Sequence, residues 1–193
     1  VQFSTSFSHT IQYRYDFLTA RADKSQYFQI SGLSLGLAKR LKVPDDFFTL
    51  SQSIGYQYYD LNNYYTGLFT FGDGSANNLS YTVALSRNNT FTNPIFPVGG
   101  SKFTLSGKFT PPYSLINGTD FSNLGGQKEF QLSNGEPDTA KIDQEKFRWL
   151  EYYKVKFSGE WYSTIIGKLV LKAQTDFGFI GAYNQERGNI PFE

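Results

Sequence analysis

The sequence has no cysteine, no methionine and a single histidine among its 193 residues. The lack of cysteine excludes a disulfide framework, a thiolate metal site and a cysteine nucleophile. Charge is also sparse, because charged residues make up 18% of the chain and the formal net charge is +1. That balance gives no reason to expect nucleic acid or an acidic partner.

Long apolar runs are missing as well. No run approaches the roughly 18 apolar residues that a membrane-spanning helix needs, which excludes a helical membrane protein. A transmembrane β-barrel is not excluded, because its strands show alternating segments of about ten residues and need no long apolar run. The sequence begins within a predicted strand, so we expect the chain to be processed or to belong to a longer protein.

Aromatic residues, in contrast, are abundant. They reach 18% of the chain, and tyrosine and phenylalanine supply nearly all of them. These residues favour β-strands and membrane interfaces. The length is sufficient for one domain with a sizeable core.

The clearest pattern lies in residues 78–108. Large residues alternate with small or polar ones, first at Leu79, Tyr81, Val83 and Leu85 and then, after a connection rich in proline and glycine, at Phe103, Leu105 and Phe109. A two-residue period is typical of strands and does not fit one face of a helix. The sequence therefore predicts two strands joined by a turn, each with one apolar and one polar face.

The same alternation predicts five further strands, so the fold class is all-β. They cover residues 1–16, 27–41, 48–59, 152–164 and 168–182. These strands exceed the usual five or six residues of globular sheets, and about 9–11 tilted residues cross a bilayer. The connections alternate between short (41–47, 164–167) and long (61–77, 111–151). The connection 90–100 falls on the short side and is long for a short turn.

Long strands and alternating connections are typical of a transmembrane antiparallel β-barrel, which we predict over the whole chain, residues 1–193. The alternative is a soluble β-sandwich in which the aromatic residues pack together. Seven is an odd number, and bacterial single-chain barrels have an even strand count. We therefore expect further strands to close the barrel.

Candidate catalytic groups are few. His9 is predicted to point toward lipid, with Phe7 and Ile11 as its neighbours on that face, so no hydroxyl nucleophile is expected beside it. The predicted lumen carries five charged side chains: Lys154, Lys156, Glu160, Lys172 and Asp176. Ion pairing across the strands is the simpler explanation for them. The alternative is a general acid–base pair formed by the two carboxylates. In the longest connection, residues 138–150 could form a short helix.

Residues 86–112, SRNNTFTNPIFPVGGSKFTLSGKFTPP, carry a family resemblance. They resemble the barrel domain of BamA-type outer-membrane protein assembly factors, which shows a strand, an Arg/Asn turn, a Phe-Pro-x-x-Gly-Ser element and a Leu-x-Gly-Lys strand. Residues 151–161 and 167–184 are similar to the strands that follow, and 189–193 to the segment before the family's inward loop. The matching positions are Arg87, Asn88, Phe96, Pro97, Gly99, Gly100, Ser101, Gly107 and Lys108.

The resemblance implies roughly the fifth to eleventh strands of a sixteen-stranded barrel in the bacterial outer membrane. It implies a role in folding and inserting other barrel proteins, with lipid, client proteins and accessory subunits as partners. No cofactor, metal or enzymatic chemistry is implied. The family's POTRA domains, its Val-Arg-Gly-Phe loop and its lateral seam have no counterpart in these residues.

Two alternatives to the assembly factor stay open. One is a translocation pore of the same superfamily, and the other is a porin-like or transporter channel. An outer-membrane enzyme is a third class, which the predicted surroundings of His9 do not favour.

Overall fold

The protein forms one seven-stranded antiparallel sheet in which each strand is hydrogen-bonded to the next along the chain. The structure, a computed structural model, describes residues 1–90, 97–118 and 120–184. The sheet curls into a half-barrel. Its strands are β1 (Gln2–Asp16), β2 (Arg21–Arg40), β3 (Phe48–Asn62), β4 (Gly74–Asn88), β5 (Gly100–Phe109), β6 (Tyr153–Ile166) and β7 (Leu169–Gly181).

Seven antiparallel strands confirm the coarse prediction of an all-β fold, and the largest difference in strand bounds is at β2. This strand begins six residues before the predicted position, because a tight turn at residues 17–20 joins it to β1. The Asp16 carboxylate holds that turn by accepting hydrogen bonds from the Leu18 N–H (2.9 Å) and the Thr19 hydroxyl (2.7 Å). The early start of β2 could not be predicted, because its first residues are mostly polar or charged and show no alternation of large apolar side chains.

The strand register sorts side chains onto two faces. The convex face carries the large apolar residues of every strand, and the concave face carries mostly serine, threonine, glycine and lysine. Because side chains alternate along a strand, one register fixes both faces for the whole sheet.

The apolar core lies at one end of the concave face, where the two long connections fold inward. We call this cluster the aromatic cap, which is composed of Phe28, Tyr59, Leu61, Phe69, Phe71, Ala76, Phe147, Leu150 and Tyr152. Strand residues and connection residues contribute to it together. The cap therefore packs both long connections against the same end of the sheet.

The longest connection is folded. It contains helix α1 (Tyr113–Asn117), two 3₁₀ turns (Leu124–Gly126 and Lys128–Phe130) and helix α2 (Thr139–Phe147). The expected helix in residues 138–150 is thus present, with Asp138 as its N-cap, accepting from the Lys141 N–H. Among the described residues, no helix combines the length and the apolar character needed to cross a membrane.

Two contacts fix the longest connection to β4. The side-chain amide of Gln144 bonds both backbone groups of Ser75, accepting from its N–H (3.1 Å) and donating to its carbonyl (2.7 Å). Asn77 exchanges backbone hydrogen bonds with residues 148–150 in the same manner as a neighbouring strand. This end of β4 is paired although β5 does not reach it.

Candidate functional site

The candidate functional site is the convex face of the sheet. Large apolar side chains remain exposed on it from β1 to β7, and representative exposed fractions are 53% for Leu33, 56% for Ile54 and 58% for Phe177. Small polar residues occupy the opposite face of the same strands. A continuous apolar surface of this extent marks a contact with an apolar phase or a partner.

The apolar band on this face runs diagonally across the strands. We take Tyr13 on β1 and Tyr153 on β6 as its edge at the long-connection end, although Tyr15 beyond Tyr13 is also 51% exposed. Tyr153 lies in the same cross-strand row as Thr5. The boundary thus moves eight residues along the strands, about 27 Å, while it crosses five strand spacings, about 24 Å. These lengths correspond to a strand tilt of roughly 45 to 50°.

The edge of the band at the short-turn end has a similar slope. We take Leu37 on β2 and Trp161 on β6 as this edge. Leu37 lies in the cross-strand row of Val155, and Val155 is six residues before Trp161 on β6. Barrel strands in membranes tilt by about 35–45° and carry an apolar band about 25 Å tall. On β2 the band from Tyr27 to Leu37 is about 24 Å tall at this tilt.

Several residues of the family resemblance meet at the short-turn end. The Arg87 guanidinium donates to the Asp45 carboxylate at 2.8 and 3.0 Å and to the Ser101 hydroxyl at 3.0 Å. The Phe47 and Phe48 rings lie 5.7 Å from its charge. The hydrogen bond from Arg87 lowers the pKa of Asp45, which lies in the connection between β2 and β3. Arg87 therefore joins β4 to the connection between β2 and β3 and to the start of β5.

Gly100 and Ser101 form the other half of this cluster. The Asn89 side-chain oxygen accepts from the Ser101 N–H at 2.5 Å, and the Asn89 N–H donates to the Ser101 carbonyl at 3.0 Å. Gly100 has φ +96°, and a β-carbon there would lie 2.6 Å from the Asn89 carbonyl oxygen. Only glycine fits this position without strain.

The other matched positions have separate roles. Asn88 accepts from Thr90 within the turn (2.7 Å from the hydroxyl), and Pro97 and Gly99 flank Val98, whose carbonyl accepts from the Thr164 hydroxyl at 2.6 Å. Phe96 and residues 189–193 lie outside the described residues. Gly107 lies on the convex face beneath the Phe109 ring, and Lys108 projects from the concave face with its ammonium 5.6 Å from the Tyr152 ring centroid.

The predicted lumen charges divide into two groups on the concave face. The Glu160 carboxylate accepts from Lys172 (3.1 Å) and from Tyr162 (2.8 Å), while Asp176 accepts from Gln174 (2.7 Å). Lys154 and Lys156 lie further toward the cap, on the side of Lys108. The structure thus brings Glu160 and Lys172 into a cross-strand ion pair and places Lys154 and Lys156 elsewhere on the same face.

Sequence reasoning missed one contact. Ser31 lies directly opposite His9, and its hydroxyl is 2.9 Å from His9 Nδ1. The expectation that no hydroxyl lies beside His9 was wrong, because it considered neighbours along β1 and not across to β2. The register between the two strands, which the sequence does not display, was the missing signal.

The described residues contain no group of three or more histidine, cysteine, aspartate or glutamate side chains arranged to hold a metal ion. Comparison with protein-family models gave no match, and neither did comparison with curated proteins.

Proposed function

We propose that this chain forms part of the wall of a transmembrane β-barrel in the bacterial outer membrane, as one domain. The single observation that carries the proposal is the exposed apolar band on the convex face, which runs diagonally across the strands at a slope close to the tilt of membrane barrel strands. Lipid is the natural solvent for such a band, and the hydroxyl-rich concave face would line a polar lumen.

The free edges of β1 and β7 are part of the same proposal. In the described part of the chain these two strands have a hydrogen-bonded neighbour on one side only. Lipid cannot satisfy backbone N–H and C=O groups, so a barrel must close. We propose that further strands pair with both edges, giving the sixteen strands that the family resemblance implies.

We propose that the barrel works as an assembly factor that folds and inserts other outer-membrane proteins. The resemblance of residues 86–112 supports this, and the interlocked contacts of Arg87, Gly100 and Ser101 give those residues a shared structural role. A weakly paired seam elsewhere in the barrel would offer strand edges to clients by β-augmentation, while nearby lipid thins. The strands described here would act as the fixed wall, and the long connections would bind accessory subunits.

The second candidate is a channel or translocation pore, and the aromatic cap bears on it. Buried aromatic side chains from both long connections cover the concave face at one end of the half-barrel, with Phe71 and Tyr152 each 2% exposed. A pore for large substrates needs this end to open. The cap therefore favours the assembly factor over an open channel.

The test uses the intact protein in lipid vesicles. An unfolded outer-membrane barrel client is added, and its folding is followed by heat-dependent gel mobility, with protein-free vesicles as the control. We expect faster client folding with the protein than without it, together with little ion conductance. Large steady conductance without client folding would contradict the proposal and support the channel.

A further inference from the structure

Helix α1, which follows β5, carries two exposed apolar side chains. Leu115 is 62% exposed and Ile116 is 68% exposed, whereas Ser114 of the same helix is buried. Residues 109–118 contain no charged side chain, although charged residues recur throughout 120–151. The longest connection therefore begins with an uncharged segment that has an exposed apolar surface.

Two contacts fix the orientation of α1. The Glu151 carboxylate accepts from the Ser114 N–H and from the Ser114 hydroxyl, both at 2.7 Å, and both residues are buried. The Tyr113 ring packs on the Trp149 ring, with 4.6 Å between the two centroids. α1 is therefore held against the segment of chain that leads into β6.

These contacts place α1 on the convex side of the sheet. The segment that holds it runs from a bridge with β4 into β6, so its neighbouring residues point to opposite faces. Leu150 and Tyr152 belong to the aromatic cap on the concave face. Trp149 and Glu151 consequently lie on the convex side, as Tyr153 does. Because α1 packs on Trp149 and Glu151, it lies beside the end of the apolar band.

The position of these contacts along the chain sets the depth of α1. Glu151 and Trp149 are two and four residues before Tyr153, the edge of the band on β6. These spacings correspond to about 7 and 13 Å along the strand, or about 5 and 9 Å along the barrel axis at a tilt of about 45°. The headgroup region on each side of a bilayer is about 5–7 Å thick. In the proposed barrel, α1 is thus at the level of the lipid headgroups.

We propose that α1 binds the membrane surface, with Leu115 and Ile116 inserted among the headgroups and upper acyl chains. The two side chains lie about 100° and 200° around the helix from Ser114, so they point away from the protein. Burying exposed apolar side chains in this layer is favourable. Lipid is the expected occupant, because the surface is uncharged and continues the apolar band. The inference rests on the proposed function, since it takes that band to face lipid.

The test places a fluorescent label at single cysteines of the intact protein in vesicles of phosphatidylethanolamine and phosphatidylglycerol. The quenchers are lipids that carry a nitroxide either just below the headgroup or at the end of the acyl chain. We expect labels at Leu115→Cys and Ile116→Cys to lose more fluorescence with the shallow quencher than with the deep one. The matched control is Leu132→Cys, which replaces a 48% exposed leucine between polar residues of the same connection. Its label should lose little fluorescence with either lipid.

A label at Leu33→Cys, in the middle of the band, separates this inference from the proposed function. Deep quenching at Leu33 without lipid quenching on α1 would overturn the inference and leave the barrel wall standing. Quenching on α1 with none at Leu33 would support the α1 contact and count against the barrel wall. Equal quenching of the α1 and Leu132 labels would overturn the inference, and no quenching at any position would overturn both.

A second measurement needs no label. Ile116→Ser removes an inserted side chain with little change in helix propensity, because isoleucine and serine have similar propensities. We expect amide hydrogen exchange of residues 113–117 in vesicles to become about fivefold faster, because part of the burial is lost. Leu132→Ser should leave this exchange unchanged, and heat-dependent gel mobility checks that both variants are folded. Unchanged exchange in Ile116→Ser would contradict the contact with lipid.

Discussion

The two faces of this sheet reverse the burial pattern of a water-soluble sheet. On the convex face large residues such as Leu35 stay 55% exposed, while on the concave face a small polar residue such as Ser80 is 7% exposed. A water-soluble sandwich buries its large apolar face against a second layer. In the described structure no second layer covers the convex face, and the proposed contact with lipid rests on this contrast between the faces.

Neighbouring residues of β2 give the largest expected contrast between the faces. Leu33→Arg places a charge in the middle of the apolar band and should destabilise the protein in lipid by about 2–4 kcal/mol. Ser34→Arg points into the concave groove and should change stability by less than about 1 kcal/mol. Chemical unfolding in lipid vesicles measures both. Equal losses would remove the distinction between the two faces.

A second contrast compares phenylalanines that are buried in the cap with those on the band. Phe147 is 4% exposed, and its ring centroid lies 6.0 Å from that of Phe69. Phe147→Ala should destabilise the cap by about 3 kcal/mol, the usual effect of emptying an aromatic core site. Phe177→Ala, on the exposed band, should leave the cap unchanged. Amide hydrogen exchange in residues 63–73 and 139–150 provides the measurement, and unchanged exchange in the Phe147 variant would show that the cap is not a packed core.

The turn between β4 and β5 offers a glycine pair. Gly100→Ala should lower stability by about 1–2 kcal/mol, because its φ is positive and the added carbon meets the Asn89 carbonyl. Gly99→Ala should be nearly neutral, since nothing lies within 4 Å of the added carbon. Unfolding midpoints compare the two variants. A neutral Gly100→Ala would mean that the turn does not adopt this geometry.

The smallest expected effect concerns the ion pair at the short-turn boundary of the convex face. Because Arg87 lowers the pKa of Asp45 in the folded protein, the pair stabilises above the unfolded-state pKa of about 3.9 and loses its effect as pH falls through the lower folded-state pKa. Asp45→Asn should be less stable than the wild type at pH 7, by less than Gly100→Ala, and equally stable once the pH falls below the folded-state pKa of Asp45. A difference independent of pH would point to packing and not to charge.

The number of strands and the face on which each side chain lies could be predicted from the sequence, because residues of one face recur at every second position. Leu79, Tyr81 and Val83 show that period directly, and one register then orients the whole sheet. The start of β2 could not be predicted, since its polar residues resemble a turn.

The folded connections and the cross-strand contacts lay beyond the sequence for a physical reason. The Gln144 amide bonds to Ser75, 69 residues away, and the pairing of His9 with Ser31 depends on a register that local patterns do not encode. The grouping of Arg87 with Ser101 could be expected only as a family signature. Its partner Asp45, in a different connection, gave no sequence signal.

The most direct test of whether the convex face contacts lipid uses spin labels placed separately on the convex and concave faces. The chain contains no cysteine, so single cysteines can be introduced one at a time and spin-labelled in the intact, reconstituted protein. Labels at Leu33, Leu35 and Leu37 should collide with oxygen dissolved in lipid, while labels at Ser34, Ser53 and Thr82 should collide with a water-soluble nickel reagent. If labels on both faces were reached equally by the water-soluble reagent, the convex face would not contact lipid and the account would be wrong.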